Sequence, residues 1–418
     1  MERAAQQELV TEYLLVSRYS EPPTDHIVTR SLISAGFGTP EYTEAPPRDP
    51  NAAPTRRNRV GTYHLKASDD AGHARITVAR YDSPALDGMS DSAFNQLTRR
   101  LGPSDVRTLR VGTLTFDTRI TGPLARPLDT QRWALSMLRA LVSLTEGAII
   151  DPQAQTSWGG ELLEKALESG PRAHLTVHNE AWGAERRWLH THGMQKFGRP
   201  ELDLADIPVA LEREAEALLL DVADNLALGG ALMSGQEVSL EELGSLIALP
   251  ATPDAEHQSP WGRLRLCDIP TPPHRQGASA RLTLARMALA EAERLRAAGD
   301  QTGALDAIER LLGADSDDSE ALALKARILL DGGRSHDALE LGELMELRAP
   351  GDYRGSYIIG LALMAIGRYR EALNALDRAI EREPEAAHAY RARGDVYARL
   401  GDQRLAAVDR ARAAYLGD

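Results

Sequence analysis

A 34-residue internal repeat near the C-terminal end is the feature that most constrains the fold of this 418-residue sequence. Two residue types recur at this interval, a glycine and an alanine that follows it five positions later. The two columns consist of Gly299, Gly333, Gly367 and Gly401, and of Ala304, Ala338, Ala372 and Ala406. A fixed period of this length predicts stacked copies of one supersecondary unit, each of which buries its apolar face against its neighbours.

Each repeat has the pattern of two helices joined by a short turn. The glycine ends the first helix, because it tolerates the left-handed conformation that follows a last helical turn. The alanine lies on the second helix, where its small side chain lets the two helices approach. Pro350 and Pro384, again one period apart, stop the second helix of their units because proline lacks a backbone N–H. The repeats therefore predict consecutive helical hairpins.

These residues resemble the tetratricopeptide repeat (TPR) family, whose units are helical hairpins of this length. The best-matching unit runs from Tyr353 to Ala386. It has the family pattern at Gly360, Leu363, Gly367, Tyr369, Ala372, Leu376, Ala379 and Pro384. The resemblance covers about 285–418 and implies four units in an all-α solenoid.

The resemblance also implies a concave groove that the first helices line. It places these side chains at the groove: Arg327, Arg354, Tyr357, Leu361, Met364, Arg391, Asp395 and Arg399. An apolar and aromatic patch flanked by arginines suits a protein or peptide partner, and the arginines favour one with acidic groups. The carboxylate clamp that binds chaperone tails in this family is not expected, because its Lys and Asn positions hold other residues. They are Leu289, Glu293, Ala323 and Arg327. A helical stack without a partner is the alternative.

A proline-rich run separates the repeats from the rest of the chain. Three prolines stand within four residues of the segment Ile269–Ala278, a density that neither a helix nor a central strand accommodates. We therefore predict a linker at 269–278, an N-terminal region at 1–268 and four hairpins at 279–418. The N-terminal region is one α/β domain, or two subdomains that divide near residue 125.

Residues 1–268 alternate between strand and helix patterns. This order predicts an α+β fold, with a mostly antiparallel sheet and helices on one face. We predict strands at Val10–Arg18, Val106–Ile120 and Ala173–His178, a hairpin of Val60–Lys66 with Ala74–Tyr81, and helices at Thr24–Ala35 (capped by Thr24), Asp91–Leu101, Thr130–Leu144 and Val209–Leu228.

A second resemblance lies in the N-terminal region. The run Trp188–Leu204 is similar to a motif of uncharacterised bacterial α/β proteins, in which a Gly-Met step precedes Phe-Gly-x-Pro-Glu. This resemblance covers roughly 130–268 and implies an α/β fold, but no activity, since those families have none established. Only four of the 48 basic residues are lysines, a bias typical of GC-rich bacterial genomes.

Four histidines raise the question of a metal site. His174 and His178 are four apart on a predicted strand, and His190 and His192 are two apart, so each pair would share one face. Carboxylates stand nearby at Glu180, Glu201 and Asp203. Imidazole with carboxylate would suit zinc or another divalent ion. We favour the interpretation that these histidines are strand-surface and turn residues, and we predict no metal and no cofactor.

Composition excludes several classes of protein. The net charge of −13 disfavours a nucleic-acid binder, which needs clustered Lys and Arg. The single cysteine, Cys267, excludes a disulfide framework and cysteine-based metal centres. The sequence lacks the signatures of P-loop proteins, serine hydrolases and zincins. It has neither an apolar stretch of membrane-spanning length nor a secretory leader pattern, so we expect no membrane association and a cytoplasmic location.

The negative charge is concentrated in Glu201–His257, which has thirteen acidic residues and one basic residue, Arg213. We interpret this segment as a solvated acidic face, with a docking surface for a basic partner as the alternative.

The sequence therefore favours a non-enzymatic adaptor, in which the TPR array recruits a protein partner and the N-terminal region senses or docks. The alternative is a metal-assisted hydrolase, with a His/Glu site between His174 and Asp203 and with the repeats as a targeting arm. Of the two interpretations, the enzyme is the less favoured.

Overall fold

The structure is a computed structural model, and it describes residues 8–46, 56–240, 243, 245–251, 261–268 and 280–417. The predicted linker at 269–278 lies outside these residues. The chain divides into two compact units. The first consists of Met1–Asp206, Ala215–Ser239 and Leu246–Ser279, and the second of Ile207–Glu214, Leu240–Ser245 and Ala280–Asp418.

Within the described residues, the first unit contains two β-sheets, of which the first has seven strands. They are β1 (Glu8–Val16), β2 (Glu41–Glu44), β3 (Arg57–Lys66), β4 (His73–Tyr81), β5 (Leu114–Pro123), β6 (Ala148–Asp151) and β7 (Thr156–Trp158). Their order in the sheet is β2-β3-β4-β5-β1-β6-β7. All neighbouring pairs are antiparallel. β1 is therefore a central strand, paired with β5 on one side and with β6 on the other.

Helices pack against both faces of this sheet, not against one face as expected. The helices of this part of the chain are α1 (Asp25–Ser34), α2 (Asp91–Thr98), α3 (Pro103–Val111), α4 (Pro127–Thr145) and α5 (Gly160–Glu168). Alternate residues of β1, such as Tyr13 and Leu15, are buried because side chains of a strand point to opposite faces in turn. They form one core with apolar residues of α1, α4 and α5. On the opposite face, Val16 packs with Phe94 of α2 and Leu109 of α3.

The second sheet has six strands in the order β11-β12-β13-β10-β9-β8. The strands are β8 (Thr176–Ala181), β9 (Arg186–His192), β10 (Glu201–Pro208), β11 (Glu237–Ser239), β12 (Ser245–Pro250) and β13 (Arg263–Asp268), and α6 (Glu212–Ala227) follows β10. β8 pairs with β9 in antiparallel fashion, and β10 pairs with β13 in parallel. The N-terminal region is thus mostly antiparallel sheet with helices, as predicted. The change from the first sheet to the second falls between Trp158 and Thr176.

Three local predictions in this unit are wrong. Val106–Ile120 is not one strand, because Pro103 occupies the first turn of α3 and that helix continues to Val111 before β5 begins. Ala173–His178 is not one strand either, since a 3₁₀ turn runs from Gly170 to His174. Thr24 precedes α1 at the N-cap position, but its side chain makes no capping hydrogen bond.

The part of the second unit that the structure describes consists chiefly of eight helices in sequence order. They are α7 (Arg281–Ala297), α8 (Gln301–Ala314), α9 (Ser319–Asp331), α10 (Ser335–Arg348), α11 (Tyr353–Ile366), α12 (Tyr369–Arg382), α13 (Ala387–Leu400) and α14 (Gln403–Tyr415). α10 and α12 end two residues before Pro350 and Pro384. The predicted all-α solenoid of four hairpins is confirmed.

Three small residues shape the third hairpin, α11 with α12. Gly367 ends α11 with a φ of +89°, in the left-handed region that a side chain disfavours. Gly360 lies inside α11, where a Cβ atom would come within 2.6 Å of the Leu376 Cγ atom on α12. Ala372 on α12 is fully buried. The small residues of the repeat therefore set how closely the two helices of a hairpin pack.

Candidate functional site

A groove of about 600 Å³ lies on the helical array. It is lined by the first helix of each hairpin, α7, α9, α11 and α13. The lining residues are Leu289, Ala290, Glu293, Glu320, Ala323, Leu324, Arg327, Tyr353, Arg354, Tyr357, Ile358, His388 and Arg391. One helix from every hairpin thus contributes to a continuous surface.

Aromatic rings form the centre of this groove. The Tyr357 ring centroid lies 4.6 Å from that of His388 in an edge-on arrangement. The Tyr353 ring lies 5.5 Å from the same histidine ring and is tilted by 40° to it. Tyr353 and Tyr357 are four residues apart on α11, so they lie one turn apart on one face. Sequence reasoning did not assign Tyr353 to the groove, although this spacing was readable.

Three arginines surround the rings, and acidic side chains balance part of their charge. Arg327 lies 3.4 Å from Glu293, and Arg354 lies 3.0 Å from Asp352. The Arg296 guanidinium, which donates to Glu293, holds the pKa of that carboxyl below its usual range. Arg391 is exposed.

Four of the eight residues that the sequence placed at the groove line this cavity, namely Arg327, Arg354, Tyr357 and Arg391. Leu361 and Met364 instead pack, half-buried, against the apolar core around Leu376. Asp395 forms an ion pair with Arg410 of α14 at 2.8 Å. Arg399 is exposed on α13 but is not among the lining residues. The part of the predicted apolar patch that Leu361 and Met364 form is therefore half-buried.

Three of the four candidate histidines come together in the second sheet. His178 on β8 is paired directly with His190 on β9, and His192 lies two residues further along on the same face. The ring centroids of His178 and His192 are 4.4 Å apart, and those of His190 and His192 are 4.9 Å apart. One nitrogen from each ring lies within 4.8 Å of the other two.

The surroundings of this triad include two amides and a carboxylate. Gln96 of α2 contacts the Nδ1 atom of His178 at 3.3 Å, and Gln155 contacts Nδ1 of His192 at 3.3 Å. Glu180 Oε1 lies 3.7 Å from His190 Nε2. Neither glutamine is near the histidines in sequence, so no spacing rule could have found them.

The histidines are buried, which corrects the prediction that they are surface residues. His190 is 0% exposed, and His178 and His192 are 9% and 8% exposed. His174 lies apart from the triad in the 3₁₀ turn, between the rings of Trp158 and Phe197. Burial, assisted by the charge of Lys196, holds the pKa of His174 well below its usual range.

The prediction of a solvated acidic face is also wrong for the first two acidic residues of that segment. Glu201 and Asp203 on β10 are 4% and 1% exposed. Asp203 accepts hydrogen bonds from Arg265 at 2.8 Å and from the indole N–H of Trp188 at 3.2 Å. These carboxylates are structural acceptors within the second sheet rather than a docking surface.

A buried ion pair also lies in the interior of the first unit. Lys196 and Asp151 are both fully buried and hydrogen-bonded to each other. The Lys196 ammonium lies 4.8 Å from the centroid of the Tyr13 ring and 5.7 Å from that of Trp158. Burial lowers the pKa of Lys196, and the Asp151 charge opposes this effect.

Four stacked helical hairpins of constant length, with a groove along their first helices, define a helical repeat protein of the solenoid class. A tetratricopeptide repeat family model matches residues 289–353 and 358–417. The repeat region of the chain therefore belongs to the TPR family, whose fold serves protein interaction.

Solved structures of TPR proteins match the same region. The chain is 30% identical to TTC0263, a thermophilic TPR protein of Thermus thermophilus, over 32% of this chain and 75% of that one, with a TM-score of 0.30. It is also 23% identical to MamA of Desulfovibrio magneticus in two solved forms, each of which matches 32% of this chain. The match covers 75% of one form with a TM-score of 0.27, and 74% of the other with a TM-score of 0.26. No curated protein matches the sequence. The family assignment therefore depends on the family model and on the repeat columns.

Among the described residues, no helix is both long and apolar enough to cross a bilayer. The comparisons give no support to a metal-assisted hydrolase.

Proposed function

We propose that this protein is an adaptor whose TPR groove binds an extended or helical peptide segment with acidic side chains. The observation that carries the proposal is the groove of about 600 Å³, in which Tyr353 and Tyr357 lie beside Arg327, Arg354 and Arg391. Aromatic side chains and arginine are the residue types that contribute most to binding at interfaces.

The arginines explain the preference for acidic groups. A guanidinium presents several N–H donors in one plane and binds a carboxylate through two parallel hydrogen bonds. Glu293 and Glu320 also line the groove, and they favour a partner that places its acids near α11 and α13 rather than near α7 and α9. The rings of α11 would cover an apolar side chain of the same peptide.

The N-terminal region supplies a second surface for sensing or docking. The face of the first sheet opposite α1, α4 and α5 carries a shallow cavity of about 800 Å³. Arg59, Arg75 and His64 line it, together with the ion pairs Arg57–Asp117 and Arg119–Glu12. A polar face of mixed charge on a rigid sheet suits reversible contact with a macromolecule.

Selection from a library of random dodecapeptides on the immobilised full-length protein tests the groove. We expect the selected peptides to combine Asp or Glu with an apolar residue. Fluorescence anisotropy with a labelled selected peptide should then give a Kd that rises at least tenfold for Tyr357→Ala and for Arg391→Glu, because each removes a central contact.

Arg404→Glu is the matched control, since Arg404 is an exposed arginine of α14 that does not line the groove. It should change the Kd only slightly, through long-range repulsion of the acidic peptide, and this difference should disappear at high salt. The proposal fails if the selected peptides show no acidic bias, or if they bind Tyr357→Ala and Arg391→Glu as tightly as the unmodified protein.

A further inference from the structure

Three buried imidazoles from two paired strands occupy one face of the second sheet. His178 and His190 are opposite each other in the antiparallel register, and His192 follows on the same face of β9. Paired residues on one face of a sheet are held by the backbone ladder, so the rings are brought together by the fold. Their grouping does not depend on flexible loops.

The separation of the ring nitrogens is close to that of a metal site. Zinc binds imidazole at about 2.0–2.1 Å, so two nitrogens on a tetrahedral ion are about 3.3 Å apart. The three candidate nitrogens lie within 4.8 Å of one another. Rotations of the imidazole rings about their side-chain torsions can close the remaining distance of about 1.5 Å. The backbone of β8 and β9 need not move.

The nearby groups match those that hydrogen-bond to the ligating histidines of a metal site. In metal centres, the ring nitrogen that does not bind the ion usually donates to a carboxylate, a carbonyl or a water. The side-chain amides of Gln96 and Gln155 contact the Nδ1 atoms of His178 and His192, and a half-turn of each amide presents its oxygen to an Nδ1–H group. The Nε2 atom of each of these two rings would then bind the ion.

A fourth donor is also at hand. Glu180 Oε1 lies 3.7 Å from His190 Nε2, and the Glu180 side chain is 44% exposed. A carboxylate at this position would complete a tetrahedral set and supply negative charge to a site of neutral imidazoles. Its exposure also gives an ion a route from solvent to the buried rings.

We propose that His178, His190 and His192, with Glu180 as the fourth ligand, form a Zn²⁺ site in the N-terminal region. The imidazole donors select a transition ion over Ca²⁺ or Mg²⁺, which prefer oxygen ligands. The site is independent of the groove in the TPR array, and it ties β8 to β9 through the ion. It therefore assigns the N-terminal region a metal-dependent stability.

Isothermal titration of Zn²⁺ into the full-length protein, after removal of metal by chelation, tests the site. We expect one ion bound per chain. We also expect a higher melting midpoint of the first unit, followed by tryptophan fluorescence, because an ion that binds the folded state must stabilise it. Mg²⁺ at the same concentration should produce neither effect.

Variants separate coordination from simple packing. His190→Gln should abolish binding of the single ion, and Glu180→Gln should weaken it. Gln96→Ala should weaken it about 10–100-fold, since outer partners of a ligating histidine contribute by this factor. Gln96 is exposed on α2, so its replacement leaves the core intact. His64→Gln, at an exposed histidine of β3, is the matched control and should bind Zn²⁺ like the unmodified protein.

The circular dichroism spectrum of each variant without metal establishes that it is folded. If His190→Gln does not fold, Glu180→Gln and Gln96→Ala decide the matter, because both side chains reach solvent and their replacement leaves the core intact. The proposal is overturned if the folded protein takes up no stoichiometric Zn²⁺, or if Glu180→Gln and Gln96→Ala bind it with unchanged affinity.

Discussion

Replacing Glu201 by Gln should remove one defined component of the pH dependence of the stability of the first unit, a loss of stability between about pH 4.5 and 7. The Glu201 side chain is 4% exposed. Its carboxyl accepts hydrogen bonds from the Thr191 hydroxyl at 2.7 Å and from the backbone N–H groups of Gly193 and Met194 at 3.1 Å. Burial nevertheless dominates and raises the pKa of Glu201 from 4.5 to about 7.

The direction of the effect follows from proton linkage. The folded state keeps a proton on Glu201 up to about pH 7, whereas the unfolded chain releases it near pH 4.5. Between these values the folded state binds more protons, so the free energy of unfolding falls as the pH rises. A tenfold change in proton affinity corresponds to about 1.4 kcal/mol, so the total loss is about 3 kcal/mol and is complete above pH 7.

Urea unfolding monitored by tryptophan fluorescence measures this loss. All five tryptophans, Trp133, Trp158, Trp182, Trp188 and Trp261, lie in the first unit, so the signal reports that unit. We expect the free energy of unfolding of the wild-type protein to fall by about 3 kcal/mol from pH 5 to pH 8 relative to Glu201→Gln.

Glu216→Gln is the control, because Glu216 is exposed on α6. It should retain the wild-type slope. Equal slopes for Glu201→Gln and the wild type would refute the reasoning, since they would show that the folded state does not hold a proton at this carboxyl.

Two other changes have defined outcomes. Lys196→Met leaves the Asp151 carboxylate buried without its ion-pair partner and should lower the free energy of unfolding by about 3–5 kcal/mol in the same urea assay. The double variant Lys196→Met/Asp151→Leu should recover most of that loss, because an apolar pair then replaces the buried ion pair. Gly360→Ala forces a Cβ atom against Leu376 and should lower the stability of the helical array by about 1–3 kcal/mol, measured by thermal unfolding followed by circular dichroism. Gly351→Ala is the control and should change the melting midpoint little, because the space around its Cβ position is open.

The helical array could be predicted in detail from the sequence because its determinants are local. A hairpin is specified by residues within one period: a glycine that ends the first helix, an alanine at the contact and a proline after the second helix. Gly367, Ala372 and Pro384 do in the structure what their chemistry predicts. The Leu361 and Met364 positions were harder to place, because packing against the next hairpin depends on side chains one repeat away.

The histidine triad could be predicted only in part because it depends on pairing between strands. The sequence places His190 and His192 on one face, but it contains nothing that aligns β8 with β9. The start of β8 was mispredicted, because a 3₁₀ turn runs from Gly170 to His174 and the strand begins only at Thr176. His174 therefore does not belong to the strand. Burial was missed for a related reason: charged and imidazole side chains usually stay at the surface unless partners from elsewhere in the chain satisfy them.

The central position of β1 in the first sheet affects how the chain is made on the ribosome. Glu8 pairs with Pro123, so the last residue of its β5 partner is synthesised about 115 residues later. At about 5–20 residues per second, β1 waits for about 6–23 s with both edges unpaired. A TPR hairpin of 34 residues needs about 2–7 s and closes against its own neighbour. During synthesis, the apolar strand Glu8–Val16 therefore depends more on protection from aggregation than a helical hairpin does, because each hairpin packs shortly after it emerges.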